Sequence, residues 1–183
     1  MRTAFKLPLV LMMLVALATS FTAHAAAETA HPTRAGDMAA ARMVPFKGTF
    51  VGRHISRTPV VPPVVFDRFE TSGQATQLGS VDLVIEATVD FGSLPVTGTG
   101  TYTFTAANGD LLVAKHTGSS ALVVPGTVLI TEHAVIDPDR STGRFAGRAG
   151  TFTVKRLADA ATGVGGVTSG SFEGTISIPS AGS

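Results

Sequence analysis

The chain has 183 residues, no cysteine, no tryptophan and one tyrosine, and its 14 basic side chains nearly balance its 13 acidic ones. Without cysteine there can be no disulfide, no thiolate metal site and no lipid attached to an amino-terminal cysteine. The near-neutral charge provides no basic surface for nucleic acid or anionic membranes. The scarcity of tryptophan and tyrosine argues against aromatic platforms for sugars or single-stranded nucleic acid.

The amino-terminal residues have the layout of a secretory signal peptide. Arg2 and Lys6 give a basic start, Leu7 to Ala18 form an apolar run, and Ala23-His24-Ala25 is a small-x-small cleavage site. The run has about a dozen residues, whereas a membrane-spanning helix needs roughly 20. We therefore expect a signal peptide over residues 1–25, cleavage after Ala25, and a secreted protein, extracellular or periplasmic, that keeps no integral membrane span.

The remaining chain is predicted to form a leader, one domain and a tail. Residues 26–43 have no apolar periodicity, which favours a flexible leader. The sequence would also allow a short helix over Met38 to Met43, but nothing in it requires one. From Pro45 onward, β-rich runs are broken by glycine and proline about every 8 to 15 residues, as in β-sandwiches and β-barrels. We assign residues 44–179 to a β-domain and residues 180–183 to a tail.

Eight or nine strands are predicted in this domain. Apolar and polar residues alternate most clearly from Val81 to Phe91 and around Tyr102, so that each of these strands has one solvated face and one apolar face. This pattern is typical of antiparallel sheets and predicts an all-β fold. The predicted strands are Phe46 to Gly52, Val64 to Glu70, Ala75 to Phe91 (two strands meeting near Gly79), Gly98 to Ala106, Leu111 to Gly118, Val128 to Ile136, Gly150 to Arg156 and Ser171 to Ile178.

Asn108-Gly109 lies between two of these strands and predicts a β-hairpin, because this pair tolerates the positive φ of a type I′ turn. A two-residue turn pairs Ala107 with Asp110 and, counting outward, Tyr102 with Lys115. In that register both Tyr102 and Lys115 face inward. A bulged turn would shift the register and exchange the faces of the second strand.

The segment Thr142-Gly143-Arg144-Phe145-Ala146-Gly147 resembles the GTGRFAGA-type turn of the allene oxide cyclase and dirigent families, and Ile130 to Ile136 fits the strand before that turn. Those families are closed, eight-stranded, calycin-like antiparallel barrels that hold an apolar small molecule, such as an unsaturated fatty-acid epoxide or a phenolic radical. The resemblance therefore implies a closed barrel with a lumen.

The same segment is expected to form a turn, in which Gly143 and Gly147 give backbone freedom and Phe145 covers the end of the barrel. The chain has Asp137-Pro138-Asp139-Arg140-Ser141 where the plant proteins have a shorter glycine turn. The resemblance accordingly implies an architecture and assigns no catalytic residue.

Glu132 is the polar residue that the strand pattern singles out. Its strand face is otherwise apolar from Val128 to Ile136, so the carboxylate is predicted to point into the barrel. Burial without a partner costs several kcal/mol or raises the pKa. Glu132 is thus a buried acid, base or ligand anchor, or else it is structurally paired or close to the rim.

Tyr102, Lys115 and Glu132 together form the predicted ligand-binding set. A phenol, an ammonium and a carboxylate sharing one lumen could polarise a carbonyl or epoxide and move a proton. The alternatives are a Tyr102 hydroxyl satisfied by a backbone carbonyl and a Lys115 side chain that reaches to the mouth.

No metal site or cofactor is predicted. His116 and His133 fall on the outer face in the two-residue register and are expected at the surface. Asp137, Asp139 and Ser141 have the oxygen spacing that opens a calcium loop, but the terminal glutamate is missing, which favours a polar turn. The stretch Gly163 to Gly166 lacks the lysine of a phosphate loop and is expected to be a mobile loop.

The leading hypothesis is a secreted barrel that binds a small apolar or amphipathic molecule in its lumen. One alternative is a cyclase or isomerase that shapes a reactive substrate with Glu132, Tyr102 and Lys115. Another is a structural surface or matrix protein whose barrel is solidly packed. A lumen too small for a ligand of about 300 Å³ would argue against both small-molecule hypotheses and leave the packed structural barrel. The sequence itself assigns neither catalysis nor an oligomeric state.

Overall fold

Eight antiparallel strands, each hydrogen-bonded to the next along the chain, close into a barrel in the computed structural model, which describes residues 41–178. The first and last strands complete the barrel, with Arg42 opposite Ile178 and Arg53 opposite Val167. The strands are β1 Arg42–Val61, β2 Val64–Ala75, β3 Gly79–Asp90, β4 Val96–Ala106, β5 Leu111–Val124, β6 Thr127–Ile136, β7 Gly150–Asp159 and β8 Val167–Ile178. The predicted all-β, closed antiparallel barrel is confirmed.

Several expectations concern residues outside the described range: the signal peptide 1–25, most of the leader and the tail 180–183. Arg42 and Met43, expected at the end of the leader, are already the first residues of β1. In the described part of the chain, no helix is long and apolar enough to span a membrane.

The strands are longer than the sequence pattern indicated. β1 has 20 residues, because a β-bulge at Ile55 lets the strand continue past its predicted end. The run from Ala75 to Phe91 contains one whole strand and not two, since Ala75 ends β2 and Gly79 starts β3. The barrel therefore has eight strands.

Glycines beside large inward side chains let the barrel wall come close to them. Gly174 on β8 is the register partner of Phe46 on β1 and of Phe152 on β7. A Cβ atom on Gly174 would lie 2.5 Å from the Cα atom of Phe152. The rings can therefore fill the interior to the density of a protein core.

The aromatic core occupies the end of the barrel that carries loops 76–78, 107–110 and 137–149, here called the closed end. Four phenylalanines pack there with ring centroids 4.8 to 5.8 Å apart, mostly edge to face. They are Phe46, Phe104, Phe152 and Phe172. Phe145 and Leu78 join this core from the connecting loops. The opposite end, with loops 62–63, 91–95, 125–126 and 160–166, is here called the mouth.

The β4–β5 hairpin turns at Asn108-Gly109 as predicted, but through one more residue. Gly109 has φ +85°, its N–H donates to the Ala106 carbonyl, and the Ala106 N–H donates to Asp110. This is the three-residue loop with a bulge, and it sets Tyr102 opposite Ala114. The predicted pairing of Tyr102 with Lys115 is wrong, and the faces of β5 are exchanged.

The turn around Phe145 behaves as expected. Gly143 and Gly147 adopt φ +55° and +71°, a region that favours glycine, and Phe145 is buried in the core at the closed end. Asp137 accepts the N–H groups of Asp139 and Arg140, which is the polar turn that the sequence favoured.

Candidate functional site

Glu132 lies inside the barrel on β6 with 3% of its surface exposed, so its predicted inward orientation is confirmed. Its register partner on β5 is Gly118. A Cβ atom at Gly118 would lie 2.5 Å from the Glu132 Cγ atom, so glycine provides the space for the glutamate side chain.

Arg156 on β7 is the partner that sequence reasoning missed. Its Nε atom donates to Glu132 Oε2 over 3.1 Å and its Nη2 atom to Glu132 Oε1 over 3.3 Å, and both side chains are buried. The alternation of Phe152 and Val154 places Arg156 on the inner face, and this signal could have found it. The predicted strand stopped at Arg156, which hid its orientation.

Tyr102 completes the coordination of the carboxylate. Its hydroxyl donates to Glu132 Oε2, and the whole residue is buried. The structure thus brings Tyr102 and Glu132 together inside the barrel, as the sequence predicted. Lys115 does not join them: its side chain is 69% exposed on the outer face and pairs with Asp137 at 2.9 Å.

His116 takes the inward place expected for Lys115, so its predicted surface position is wrong. The bulged hairpin turns it into the barrel, where its ring lies 4.7 Å from the ring of Tyr102. Its Nε2 atom donates to the Glu86 carbonyl over 3.2 Å. Its Nδ1 atom is buried without a hydrogen bond, 3.5 Å from Glu132 Oε1. His133 is exposed on the outer face, as predicted.

This cluster carries one negative charge, on Glu132, and one positive charge, on Arg156. Burial raises the pKa of Glu132, but the attraction and hydrogen bonds of Arg156 outweigh it, so the pKa of Glu132 lies below its ordinary value. Burial and the neighbouring Glu132 raise the pKa of Tyr102 well above its usual range. Burial lowers the pKa of His116 despite the attraction of Glu132. Tyrosine and histidine are therefore neutral at neutral pH.

A second ion pair lies nearer the mouth. Arg57 donates to both oxygens of the buried Asp67, from Nε over 2.8 Å and from Nη2 over 2.7 Å. His54 approaches Asp67 Oδ1 to 3.2 Å and contacts the Ser56 carbonyl at 2.9 Å. The bulge at Ile55 is what brings both His54 and Arg57 to the side of Asp67.

Phe69 connects the two ion pairs. The ring of His54 stacks on it at a centroid distance of 4.5 Å, and the guanidinium of Arg156 lies 4.6 Å from its centroid. Such a cation–π contact is favourable where water is excluded. The position of Arg156 is thus set by Glu132, Phe69 and, at 3.5 Å, the Thr168 hydroxyl.

A cavity of about 170 Å³ opens at the mouth above these groups. Its apolar wall consists of Val89, Phe91, Val96, Val128, Ile130 and Ala158. Its polar lining includes Arg156, His54, Arg57 and Asp67. A cavity of about 150 Å³ accepts benzene, whereas drug-sized ligands need about 300 Å³ or more. The cavity is thus smaller than the volume of about 300 Å³ set above for an enclosed ligand, and it has room for one small ring and not for a fatty acid.

A second, smaller space of about 50 Å³ lies at the wall between β4 and β5 and is lined by Glu132 and Arg156 together with Gly98 and Gly118. Arg156 lines both spaces. A guanidinium has five N–H groups, and the contacts within residues 41–178 use three of them. The N–H groups that make no such bond are one on Nη1 and one on Nη2.

No protein-family model, curated protein or solved structure matches the chain. Within the described residues, no group of three histidine or acidic side chains is placed to hold a metal ion. Because Arg156 and Tyr102 hold Glu132 ionised through three hydrogen bonds, Glu132 is a weak base and suits electrostatic anchoring better than proton abstraction. The geometry is that of a hydrogen-bonding site beneath an apolar opening.

Proposed function

We propose that this barrel binds a small amphipathic molecule at its mouth, with an apolar body of about one ring and an acceptor group directed at Arg156. The acceptor is a carboxylate, carbonyl or hydroxyl oxygen. The observation that carries the proposal is the position of Arg156, which lines the 170 Å³ cavity beneath an apolar wall. A mostly apolar cavity with few convergent polar groups is the usual form of a small-molecule site.

Two further parts of the proposal come from the sequence. The basic start, apolar run and Ala25 site support a secreted protein, extracellular or periplasmic. The turn Thr142 to Gly147 supports a distant relationship to the allene oxide cyclase and dirigent barrels. The cavity volume argues against a cyclase acting on an enclosed fatty-acid epoxide, since about 170 Å³ cannot contain such a chain, and it limits the proposed ligand to about one ring.

A search for the ligand, with matched variants, tests the proposal. Native mass spectrometry of protein purified without denaturation should show one co-purified small molecule. A panel of single-ring carboxylic acids and alcohols should contain compounds that raise Tm, because ligand at 100 times its Kd stabilises the fold by about 2.7 kcal/mol.

Ala158→Phe places a ring inside the cavity and should abolish both signals. Ala121→Phe adds the same ring to an exposed position that does not line the cavity and should leave both unchanged. If the unmodified protein carries no compound and no panel member shifts Tm, the structural alternative of a packed barrel replaces this proposal.

A further inference from the structure

Exposed apolar side chains are concentrated at the mouth. Each of the four loops at this end contains at least one or adjoins one at the end of a strand, and Leu94, at the tip between β3 and β4, is 94% exposed. We define the mouth rim as Val60, Val61, Phe91, Leu94, Leu122, Val123, Val124, Val164 and Val167. Soluble monomers rarely expose clustered apolar surface of this kind without an interaction to serve.

The segments that carry the mouth rim contain no charged side chain. Residues 58–66, 91–99, 117–131 and 160–172 include no aspartate, glutamate, lysine or arginine. The closed end differs sharply, because its loops carry Asp110, Asp137, Asp139, Arg140, Arg144 and Arg148. Arg57, Asp90 and Asp159 border these segments on the strands. The loop tips at the mouth are therefore uncharged and apolar, whereas the loops at the closed end are charged.

We propose that the mouth rim docks on the surface of a zwitterionic lipid bilayer. Peripheral binding of this type grows with the apolar area that enters the headgroup region. The absence of charge from all four loops removes the cost of desolvating a charge on insertion, and the loops themselves provide no attraction to anionic lipid. Zwitterionic lipid is the surface that matches both properties.

The composition and shape of the rim favour lipid over a protein partner. Protein interfaces are enriched in aromatic residues, methionine and arginine, and Phe91 is the one member of the rim in these classes. The loop tips surround an opening and do not form a continuous face. Fluid lipid fills the space between separate tips, whereas a folded partner would need a matching ring-shaped surface. Docking in this way does not depend on a ligand in the cavity.

The chain has no tryptophan, so one introduced tryptophan reports on a single position. All eight strands lie between Arg42 and Ile178. A chain that starts at Ala26 therefore keeps the complete barrel and lacks the apolar run Leu7 to Ala18. In that chain, Leu94→Trp should show a blue-shifted emission on addition of phosphatidylcholine vesicles. The matched variant Val135→Trp, on the outer wall far from the mouth, should show none.

Affinity then follows from vesicle titration of Leu94→Trp. Adding Leu122→Asp should weaken binding at least about tenfold, because a charge must enter the headgroup region. Adding Val51→Asp, a charge on the exposed outer face of β1, should not weaken it. Raising the salt concentration should leave the binding unchanged, since no charge contributes to it.

Three results would overturn the proposal. One is no emission shift of Leu94→Trp with phosphatidylcholine vesicles. Another is binding that requires anionic lipid and disappears in salt. The third is a concentration-dependent dimer in sedimentation experiments that Leu122→Asp abolishes while vesicles are not bound, because the rim would then be a contact between two copies of this chain.

Discussion

Glu132 carries a negative charge at a position that water does not reach, and its neighbours make this possible. Arg156 supplies two hydrogen bonds and the opposite charge, and Tyr102 supplies a third donor. The desolvation cost of such a pair often cancels its attraction, while removal of one partner leaves an uncompensated charge. The cluster therefore contributes more to the specific arrangement beneath the cavity than to net stability.

Glu132→Gln is expected to lower the free energy of unfolding by about 3–5 kcal/mol, since the guanidinium of Arg156 stays buried without its counter-charge. Urea unfolding measures the change. The exposed Glu173→Gln should change stability by less than about 0.5 kcal/mol. The double variant Glu132→Leu/Arg156→Met removes both charges and should be more stable than Glu132→Gln; a double variant of equal or lower stability would contradict the role assigned to the unpaired arginine.

His116 gives the fold a dependence on mild acid. Its folded-state pKa lies below the ordinary 6.5, so the unfolded chain binds a proton that the folded barrel does not. The contribution is fully present above pH 6.5 and is lost as pH falls below it toward the folded-state pKa. Glu132, also with a lowered pKa, acts in a separate window below its ordinary value of 4.5.

We accordingly expect His116→Gln to flatten the decline in urea midpoint as the pH falls below 6.5. His133→Gln, on the outer wall, should keep the slope of the unmodified protein. If His116→Gln declines as steeply as the unmodified protein, the histidine is not neutral in the folded state.

The strands show how closely wall and interior are matched. Gly118→Ala would place a Cβ 2.5 Å from Glu132 Cγ and from the Thr131 carbonyl oxygen, so β5 and β6 must separate. We expect a loss of about 1–3 kcal/mol, typical of overpacking. Gly98→Ala is the matched control in β4, because its nearest neighbour would be 3.4 Å away, an ordinary contact. Equal stability of the two variants in urea would refute this account.

The strand pattern predicted an all-β antiparallel fold and the inward Tyr102 and Glu132, but the Lys115 and His116 side chains were assigned to the wrong faces. Alternating side chains point to opposite faces of a strand. A one-residue error in register therefore leaves the alternating pattern intact but moves every side chain of the strand to the other face. Asn108-Gly109 fits both a two-residue turn and a bulged one. The sequence did contain a reason to prefer the bulged turn. The two-residue turn directs the charged Lys115 into a lumen of phenylalanines, whereas the bulged turn directs His116 there, and this histidine stays neutral.

The cavity and the ion pairs near the mouth could not be predicted for a different reason. They depend on the register of neighbouring strands: Arg156 on β7 meets Glu132 on β6, and Arg57 on β1 meets Asp67 on β2 only because Ile55 bulges. No local sequence pattern predicts such a bulge. The volume of a lumen likewise depends on which rings turn inward together.

At the scale of the whole molecule, closure by β1 and β8 brings the two ends of the described chain side by side. Arg42 and Ile178 are register partners, so a linker of about five residues can join them. New ends between Asn108 and Gly109, in an exposed turn, should give a circular permutant with a cooperative urea transition.

New ends between Thr142 and Gly143 should instead prevent cooperative folding. Thr142 exchanges two hydrogen bonds with Leu111, and the adjacent turn holds Phe145 in the core. Circular dichroism and urea unfolding of the two permutants measure the difference. Cooperative unfolding of both would show that the segment 137–149 is dispensable for closing the barrel.

The single tyrosine has an optical consequence. Tyr102 is the only tyrosine and there is no tryptophan, so nearly all near-ultraviolet emission of the chain comes from one phenol. That phenol donates its proton to a carboxylate, an arrangement that quenches tyrosine fluorescence, and it is shielded from solvent. Unfolding should therefore brighten the protein, which makes loss of the Tyr102–Glu132 contact directly visible without any label.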